Sequence, residues 1–417
     1  MKISTMRTLD CLAGIPMCAA ASLFTNKKAP EIGQLLQKEK IKILIIHLSE
    51  MGAAVPAQPA IAELRRRLPQ AELYFLSFPI AQALFQTLKN APADHCLTID
   101  PTTPVSLAGS ALKSLQVLRS AGIDCVLDFE GYSRVSAILG ALICPKGIRV
   151  GMHPYQLPHL YRGSTLTHKV LYTPHRHISH FYWTLVSALF ADPDNEPFPQ
   201  IPPSDFDPEK PIPYEFSYRP DPEDEACIER KLALLNLNAC QDLVIVNPNS
   251  SDMLPLRKWP LERYAQVIAY LRAYNPKTAF IVTGTANERA GFMALASKLP
   301  DCQICDFTGQ TTLPQLLALY RRCRLLITND SGPAHLAPIV GLPSVVLYGP
   351  ETPKLFAPLG DRTKIIYENW LCSPCVCPAN GKNSLCKTGG CLKAVSVEKV
   401  VAAAIEQMNK YPGPKSI

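Results

Sequence analysis

Residues 328–350, TNDSGPAHLAPIVGLPSVVLYGP, contain the clearest candidate for a chemical site. Polar and small residues, Asn329–Gly332, separate an apolar run from a helix that would begin at Pro333. Proline suits the first helical position because the N–H that it lacks would have no partner there. The free N–H groups of such a turn attract anions, and Gly332 lets a ligand approach the backbone. The turn therefore predicts a phosphate site, and His335, one turn further on, could donate to a phosphate oxygen.

The same residues also permit a purely structural interpretation. Asp330 and Ser331 are favourable N-cap residues, so the turn could be only a tight connection that caps the helix. Spacing alone leaves both interpretations open.

Apolar runs of strand length alternate with helical patterns along both halves of the chain. The predicted strands are Ile41–Leu48, Ala71–Phe78 and Ile123–Phe129 in the first half, and Asp242–Pro248, Thr278–Gly284, Arg324–Asp330 and Pro343–Pro350 in the second. Strands that alternate with helices form βαβ units and a parallel sheet. We therefore predict an α/β protein with two doubly wound, Rossmann-like domains that face a cleft. Ligands of such sheets bind outside the carboxyl ends of the strands.

The length of 417 residues exceeds that of one ordinary core, so two domains are expected. Prolines exclude a helix or a central strand between the halves and predict an extended connection; they stand at 193, 197, 199, 202, 203, 208, 211, 213, 220 and 222. We place the N-terminal domain at 41–205, the linker at 206–222 and the C-terminal domain at 223–395. A final amphipathic helix lies within 396–417, with Val397, Val400, Val401, Ala404 and Ile405 on one face.

Residues 1–40 form a separate segment with an uncharged apolar stretch, Cys11–Phe24, which is flanked by Arg7, Lys27 and Lys28. A helix of this length spans roughly 21 Å, less than the ~30 Å hydrocarbon core of a bilayer. We predict a membrane-associating segment that lies on the bilayer surface. A packed N-terminal helix and a signal peptide with a cleavage site in CAAAS are the alternatives.

The formal charge of +7 is mild, and no Lys/Arg run with interleaved aromatic residues occurs in the sequence. We therefore expect no nucleic acid partner and predict anionic small molecules or a lipid surface instead. Most of the 15 cysteines stand singly in apolar runs, for example Cys125, Cys144 and Cys323. Such cysteines are typical of a reducing compartment, which predicts a cytoplasmic protein.

The remaining cysteines are clustered near the C-terminus: Cys372, Cys375, Cys377, Cys386 and Cys391. The C-x2-C spacing is a common metal half-site, but the other spacings fit no standard site. We predict a structural loop without a metal. A metal site and a redox disulfide are the alternatives.

Histidines are crowded in one part of the first half: His153, His159, His168, His175, His177 and His180. Nearby acids are few, which argues against a metal site. Arginine, lysine, histidine and aromatic residues are mixed in residues 160–183, which suits recognition of phosphates and sugar rings on an anionic glycolipid. The predicted acceptor-binding residues, in a loop-rich region, are Arg162, His168, Lys169, His175, Arg176 and His177. An ordinary surface loop and a metal site are the alternatives.

Residues 325–353 resemble the signature of glycosyltransferase family 9, the ADP-heptose:lipopolysaccharide heptosyltransferases. Other stretches are similar to family blocks in order and spacing: KILIIHLSEMG, VNPNSSDMLPLRKWPLERYAQV, FIVTGTANERA, FTGQTTLPQLLALYRRC and a late Cys-Ser-Pro-Cys segment. The resemblance covers roughly 41–408. It implies the two-domain GT-B fold, an inverting transfer without metal or cofactor, an acceptor on the N-terminal domain and a nucleotide-sugar donor on the C-terminal domain. It also suggests that the helix at 397–408 packs back toward the N-terminal domain.

On the donor side the resemblance implies roles for single residues. The diphosphate would be held by Asp330, Ser331, Gly332 and His335. The family has a cation two residues before its Trp-Pro tryptophan, where this chain has Arg257, followed by Lys258; either could neutralise charge on the departing diphosphate. Glu288 matches a glutamate that binds the nucleotide ribose, and Thr283 and Gly284 would line the same pocket. The structural alternatives are a solvated pair of cations and, for Glu288, a carboxylate that stabilises a helix N-terminus.

At the catalytic base this chain departs from the family. The family's aspartate follows the glycine of the loop HLSEMGAAV, at the position of Ala53. An inverting transfer needs a carboxylate that takes the proton of the acceptor, which alanine cannot do. Glu50, three residues earlier in the same loop, is the first candidate, and Glu130, after another parallel strand, is the second. The alternative is a protein that has lost transferase activity.

The family resemblance implies an inverting, metal-independent transferase. It would move a heptose-like sugar from a nucleotide-diphosphate sugar to a lipopolysaccharide-type glycolipid, at the inner leaflet of the inner membrane. A nucleotide-sugar epimerase with the same fold and a non-catalytic nucleotide-sugar binder are the alternatives.

Overall fold

The computed structural model describes residues 8, 10–26, 28, 30–153, 161–171, 173, 175–192, 206–237, 240–250, 254–300, 302, 304–377 and 383–411. Two compact units make up the chain, Met1–Ile212 and Pro213–Ile417. Their boundary lies inside the stretch 206–222, where the sequence predicts a linker. The preceding proline-rich residues 193–205 lie outside the described part of the chain.

A six-stranded parallel sheet forms the centre of the first unit. Its strands are β1 (Lys42–His47), β2 (Glu72–Ser77), β3 (Cys96–Thr98), β4 (Cys125–Asp128), β5 (Ile148–Met152) and β6 (His168–Val170). Their order across the sheet is β3-β2-β1-β4-β5-β6, so the winding reverses between β1 and β4. Strands β1 and β4 are almost entirely buried, which explains their unbroken apolar runs.

The helices of the first unit are α1 (Gly14–Leu23), α2 (Ile32–Leu35), α3 (Met51–Ala54), α4 (Gln58–Arg67), α5 (Pro79–Thr87), α6 (Pro104–Ala121), α7 (Arg134–Ile143) and α8 (Ile178–Ala188). Local sequence sets the ends of α6: Thr103 and Ser106 form a capping box, and Gly122 ends the helix at φ 72°. Leu118 of α6 and Leu139 of α7 belong to the same buried cluster as the side chains of β1, β2 and β4.

Helix α1 packs against α7 through small residues. Gly14, Cys18 and Ala21 are buried. The Asp10 carboxylate accepts a hydrogen bond from the backbone N–H of Arg134 at 2.8 Å and pairs with its guanidinium at 3.0 Å. Residues before β1 are therefore part of the first unit, as the alternative of a packed N-terminal helix predicts. Within the described residues, no helix has the length and apolar character needed to cross a membrane.

The second unit contains another six-stranded parallel sheet. Its strands are β7 (Asp242–Asn247), β8 (Thr278–Gly284), β9 (Ile304–Thr308), β10 (Leu325–Asn329), β11 (Ser344–Tyr348) and β12 (Thr363–Tyr367). Their order is β12-β11-β10-β7-β8-β9, so the winding reverses between β7 and β10. The seven predicted strands are confirmed as β1, β2, β4, β7, β8, β10 and β11, and the α/β class with two doubly wound sheets is confirmed with them.

The helices of the second unit are α9 (Pro222–Leu234), α10 (Leu261–Tyr274), α11 (Arg289–Ala296), α12 (Leu313–Arg322), α13 (Gly332–Leu336), α14 (Pro353–Phe356), α15 (Gly390–Lys393) and α16 (Val397–Lys410). The predicted final helix is α16, whose Val400 and Ala404 belong to the core of the second unit and pack near α10 and β11. Packing of this helix toward the N-terminal domain stays a prediction.

We expect Gly14→Leu to destabilise the protein by ~1–3 kcal/mol, because the added side chain must displace Arg134. A Cβ at position 14 would lie 2.8 Å from Arg134 Cδ and 3.0 Å from its Cβ, which cannot swing aside. Gly33→Leu in α2 is the matched control, since nothing lies within 4 Å of that position. Chemical unfolding measures both variants, and equal stability of the two would contradict the packing of α1 on α7.

Candidate functional site

Asn329, the last residue of β10, joins three segments at the carboxyl edge of the second sheet. Its Oδ1 accepts hydrogen bonds from the Tyr264 hydroxyl at 3.0 Å and from the backbone N–H of Trp259 at 3.2 Å. Its Nδ2 donates to the carbonyl oxygen of Pro248 at 2.8 Å. The side chain is fully buried. Asn329 therefore holds the loop after β7 and the Trp-Pro block in place at the point where the winding reverses.

Arg257 lies between two carboxylates at the same edge. Its Nη1 is 3.2 Å from Glu351 Oε2 and 3.6 Å from Asp330 Oδ2. The three side chains are almost completely buried. Asp330 follows β10 and Glu351 follows the adjacent β11, so two strand ends direct carboxylates to one guanidinium. Sequence analysis missed Glu351, although its position just after a parallel strand was a usable signal.

The turn after β10 begins a short helix, as predicted. Ser331 is the N-cap residue of α13 but makes no capping hydrogen bond, and its hydroxyl donates to the Asn329 carbonyl at 3.2 Å. The alternative of a tight turn capped by Asp330 and Ser331 therefore receives no capping hydrogen bond from Ser331. His335 is buried within α13, and the Lys258 side chain is exposed next to Arg257. The roles of Asp330, Ser331, Gly332, His335, Arg257 and Lys258 toward a diphosphate stay predictions.

The residues expected around a nucleotide ribose lie at the end of β8 and in the turn that follows it. Glu288 Oε2 accepts hydrogen bonds from the backbone N–H of Thr285 at 2.6 Å and from its hydroxyl at 3.0 Å, a capping box that matches the structural alternative. A Cβ on Gly284 would lie 2.8 Å from Asn249 Nδ2 and 2.9 Å from the same oxygen, so a larger residue would displace these side chains. Thr283 is buried, and its hydroxyl accepts from Asn247 Nδ2 at 3.2 Å. Their roles in nucleotide binding stay predictions.

Glu130 is a buried carboxylate at the reversal point of the first sheet, between β1 and β4. Its Oε1 accepts a hydrogen bond from the Ser49 hydroxyl at 2.5 Å, and His47 Nδ1 lies 3.8 Å from the same oxygen. Burial lowers the pKa of His47 to about 4, so its imidazole is neutral at neutral pH. Ligands of doubly wound sheets bind at such a reversal point. His47 and Ser49 were not predicted, because no local pattern marks them.

Arg162 holds the loop that carries Glu130. Its Nη2 donates to the Glu130 carbonyl oxygen at 2.5 Å and pairs with Asp128 Oδ2 at 3.0 Å. Burial raises the pKa of Asp128 to about 6 while Arg162 acts to lower it, so the carboxylate is mostly ionised at neutral pH. Arg162 is 2% exposed. The geometry therefore favours a positioning role for Arg162, and its contact with an acceptor stays a prediction.

Glu50 lies at the start of α3, in the loop after β1. Its side chain is exposed and makes no capping hydrogen bond with the helix. Ala53, at the position of the family's aspartate, lies inside α3. Glu50 and Glu130 thus emerge from the ends of neighbouring strands, β1 and β4, and either assignment as a base stays a prediction.

The other predicted acceptor residues are divided between interior and surface. His168 and Lys169 lie in the three-residue strand β6, within the region predicted to be rich in loops, and their contact with an acceptor stays a prediction. His177 is buried and accepts a hydrogen bond from the Ser179 N–H at 3.2 Å at the start of α8. His175 is exposed, and Arg176 forms a surface ion pair with Glu209. His159 lies outside the described residues.

Four of the clustered cysteines surround one cavity of about 370 Å³: Cys372, Cys375, Cys386 and Cys391. None of these four cysteines forms a disulfide. A hydrogen bond from the Gly389 N–H lowers the pKa of Cys386, whereas burial raises that of Cys391. In the part of the chain that the structure describes, no three His, Cys, Asp or Glu side chains are arranged to hold a metal ion.

Two doubly wound parallel sheets, each with buried charged groups at its reversal point, define the architecture of the GT-B class. The chain belongs to glycosyltransferase family 9, since the model described as "Glycosyltransferase family 9 (heptosyltransferase)" matches residues 112–382. The resemblance found in the sequence is thereby confirmed.

Named relatives and solved structures agree with this assignment. The chain is 33% identical to lipopolysaccharide heptosyltransferase 2 of Salmonella typhimurium over 115 residues. These 115 residues are 27% of this chain and 32% of the Salmonella protein. A family 9 glycosyltransferase from Veillonella parvula has the same fold, with a TM-score of 0.70, 20% identity and coverage of 89% and 98%. The structure of E. coli ADP-heptose lps heptosyltransferase II has a TM-score of 0.65 and 18% identity, with coverage of 89% of this chain and 99% of that chain. The sequence match spans about a third of the Salmonella protein.

We expect Asn329→Ala to lower the free energy of unfolding by ~2–4 kcal/mol, because it leaves the Trp259 N–H and the Pro248 carbonyl without their buried partner. Tyr264→Phe is the matched comparison, since it removes only one hydrogen bond to Asn329 and should cost ~1 kcal/mol. Denaturant unfolding followed by tryptophan fluorescence distinguishes them. A loss for Asn329→Ala no larger than that for Tyr264→Phe would be inconsistent with a joining role of Asn329.

Proposed function

We propose that this protein is an inverting, metal-independent glycosyltransferase that moves a heptose-like sugar from a nucleotide-diphosphate donor to a lipopolysaccharide-type glycolipid. The observation that carries the proposal is that both sheets place suitable groups at their reversal points. The second sheet has the turn Asp330–Gly332 there, which suits an anionic donor, and the first has the buried carboxylate Glu130, which suits proton abstraction. Family membership and the relatives' names support a heptose donor of the ADP type.

On the donor side, the backbone N–H groups at Ser331 and Gly332 would bind the diphosphate, with His335 donating a further hydrogen bond. The exposed Lys258 is placed to neutralise charge on the leaving group as it departs. Glu288 and Gly284, which meet after β8, would contact the ribose. In this proposal the protein's own N–H groups and cationic side chains stabilise the diphosphate, so no metal is required.

The reaction would be a single displacement at the anomeric carbon. A hydroxyl of the glycolipid attacks the face opposite the diphosphate, the new C–O bond forms, and the bond to the diphosphate breaks with its electron pair on the leaving oxygen. The proton of the hydroxyl passes to a carboxylate of the protein. One displacement inverts the anomeric configuration.

The geometry favours Glu130 over Glu50 as the base. A general base acts best when it is held in one position. Ser49 and the loop fixed by Arg162 hold Glu130, whereas the Glu50 side chain is exposed. In this proposal Glu130, which follows the neighbouring strand β4, replaces the carboxylate that is missing at Ala53.

Incubation with ADP-heptose and a heptose-deficient lipopolysaccharide tests the function. We expect ADP release that requires the acceptor, a product of inverted configuration by NMR, and rates unchanged by a chelator. Formation of an epimerised sugar without acceptor would instead establish the epimerase alternative. Donor binding without turnover would establish the non-catalytic binder.

We expect Glu130→Gln to lower kcat by ~10²-fold or more, the range for loss of a general base, while the affinity for ADP is retained. Glu50→Gln is the matched variant and should keep most of the activity. The reverse result, with loss only in Glu50→Gln, would assign the base to Glu50. Near wild-type turnover in both variants would exclude the two candidates.

We further propose that the protein acts in the cytoplasm and contacts the inner leaflet of the inner membrane through α1. Leu12, just before this helix, and Leu23 and Phe24, at its end, are 72%, 83% and 75% exposed. The Asn26 N–H donates to the Pro145 carbonyl, which brings the exposed Lys146 near the end of the helix. Apolar side chains beside lysine suit an anionic lipid surface, where the glycolipid acceptor would be found.

The double variant Leu23→Ser/Phe24→Ser should lose at least ~10-fold in binding to phosphatidylglycerol vesicles, because it removes two exposed apolar side chains from the proposed contact. Leu234→Ser is the matched control, since Leu234 is also 83% exposed but lies in the second unit. Vesicle co-sedimentation measures binding. Equal binding of the double variant and the control would refute the membrane contact.

A further inference from the structure

Glu351 is a buried carboxylate for which neither the sequence motifs nor the proposed reaction provides a role. Its side chain is 2% exposed, and its Oε2 lies 3.2 Å from Arg257 Nη1. The residues next to it are held on both sides. The Pro350 carbonyl accepts hydrogen bonds from two backbone N–H groups of the cysteine loop, and the Thr352 hydroxyl accepts one from the Lys354 N–H. Glu351 is therefore a fixed partner for Arg257.

Arg257 is fixed as well. It ends the 3-10 turn Pro255–Arg257, and the Trp259 N–H, two residues later, is bound to the buried amide of Asn329. The same Nη1 also lies 3.6 Å from Oδ2 of Asp330, which belongs to the predicted phosphate turn Asn329–Gly332. Two carboxylates thus share one guanidinium directly beside the place proposed for the diphosphate.

This arrangement has a consequence for the charge that a diphosphate would meet. An arginine with no counter-charge, in a partly desolvated site, attracts a diphosphate strongly before and after the reaction. A carboxylate 3.2 Å from that guanidinium offsets a large part of the attraction. Tight binding of the product nucleotide would slow its release and therefore the turnover.

We propose that Glu351 is a positioning residue that holds Arg257 beside Asp330 and offsets its charge, so that the nucleotide diphosphate product is bound weakly enough to leave. The inference rests on the proposed function, because it takes the diphosphate to lie at the turn after β10. This role and a purely structural role predict opposite changes in the affinity for the anion when the Glu351 carboxylate is removed. Loss of a structural contact weakens ligand binding, whereas loss of a counter-charge strengthens binding of the anion.

Glu351→Gln tests the inference, since it keeps the shape and an acceptor oxygen but removes the charge. We expect the Kd for ADP, measured by calorimetry, to fall by about tenfold, with the Kd for adenosine unchanged. The kcat should fall because ADP leaves more slowly. Glu398→Gln on α16 is the matched control, an exposed glutamate of the same unit, and should leave both constants unchanged.

The outcomes separate the inference from the function on which it rests. A wild-type protein that binds no ADP overturns both. A wild-type protein that binds ADP, together with a Glu351→Gln variant whose ADP affinity is unchanged or weaker, overturns the inference alone. If Glu351→Gln does not fold, Glu351→Asp is the second variant. Its shorter side chain withdraws the carboxylate from Arg257 and should tighten ADP binding about twofold. Unchanged or weaker ADP binding by Glu351→Asp overturns the inference equally.

Discussion

The side-chain amide of Asn329 makes the hydrogen bonds on which the edge of the second sheet depends. At the reversal point of a doubly wound sheet, neighbouring loops leave in opposite directions, and their backbone groups lack partners in the sheet. One buried amide supplies both a donor and an acceptor there, to Pro248 on one side and to Trp259 and Tyr264 on the other. The position of Arg257, two residues before Trp259, follows from this connection.

Buried ion pairs organise both reversal points. In the first unit Arg162 pairs with Asp128 and holds the carbonyl of Glu130; in the second, Arg257 pairs with Glu351 and lies close to Asp330. Such pairs contribute little net stability, because desolvation offsets the Coulomb attraction. Their value lies in geometry, since a buried guanidinium that is paired with a carboxylate keeps the adjacent loop in one conformation. The candidate site residues at both edges are thus held in place by buried ion pairs.

The chain keeps the turn after β10 on which the family resemblance rests, but it departs from the family in the loop after β1. Alanine at position 53 removes the expected carboxylate from the loop after β1. The neighbouring strand end supplies Glu130, which Ser49 of the β1 loop binds directly. Since the ends of β1 and β4 are adjacent, a carboxylate on either can serve the same space. The proposed change of base therefore requires no change of fold.

The sequence by itself determined seven of the twelve sheet strands, the sheet class and the position of the turn after β10. Parallel strands buried on both faces appear as continuous apolar runs, so β1, β4, β7 and β10 are visible locally. Strand β5 was missed because it contains Arg149, whose charge is accommodated only by carbonyl groups brought from elsewhere, such as Thr165 and Cys144. The motif spacing also identified the family, which the match to residues 112–382 confirms.

Only the tertiary structure decided the partners of the charged groups. Arg257 and Glu351 are 94 residues apart in the chain, and Ser49 and Glu130 are 81 apart. Local sequence patterns indicate burial and periodicity, which depend on residues that are close in the sequence. The electrostatic field at a charged side chain depends instead on the groups that the fold brings within a few ångströms of it. The N-terminal segment illustrates the same limit. Its apolar composition was evident, but the burial of one narrow face against α7 and the exposure of the rest follow from the packing alone.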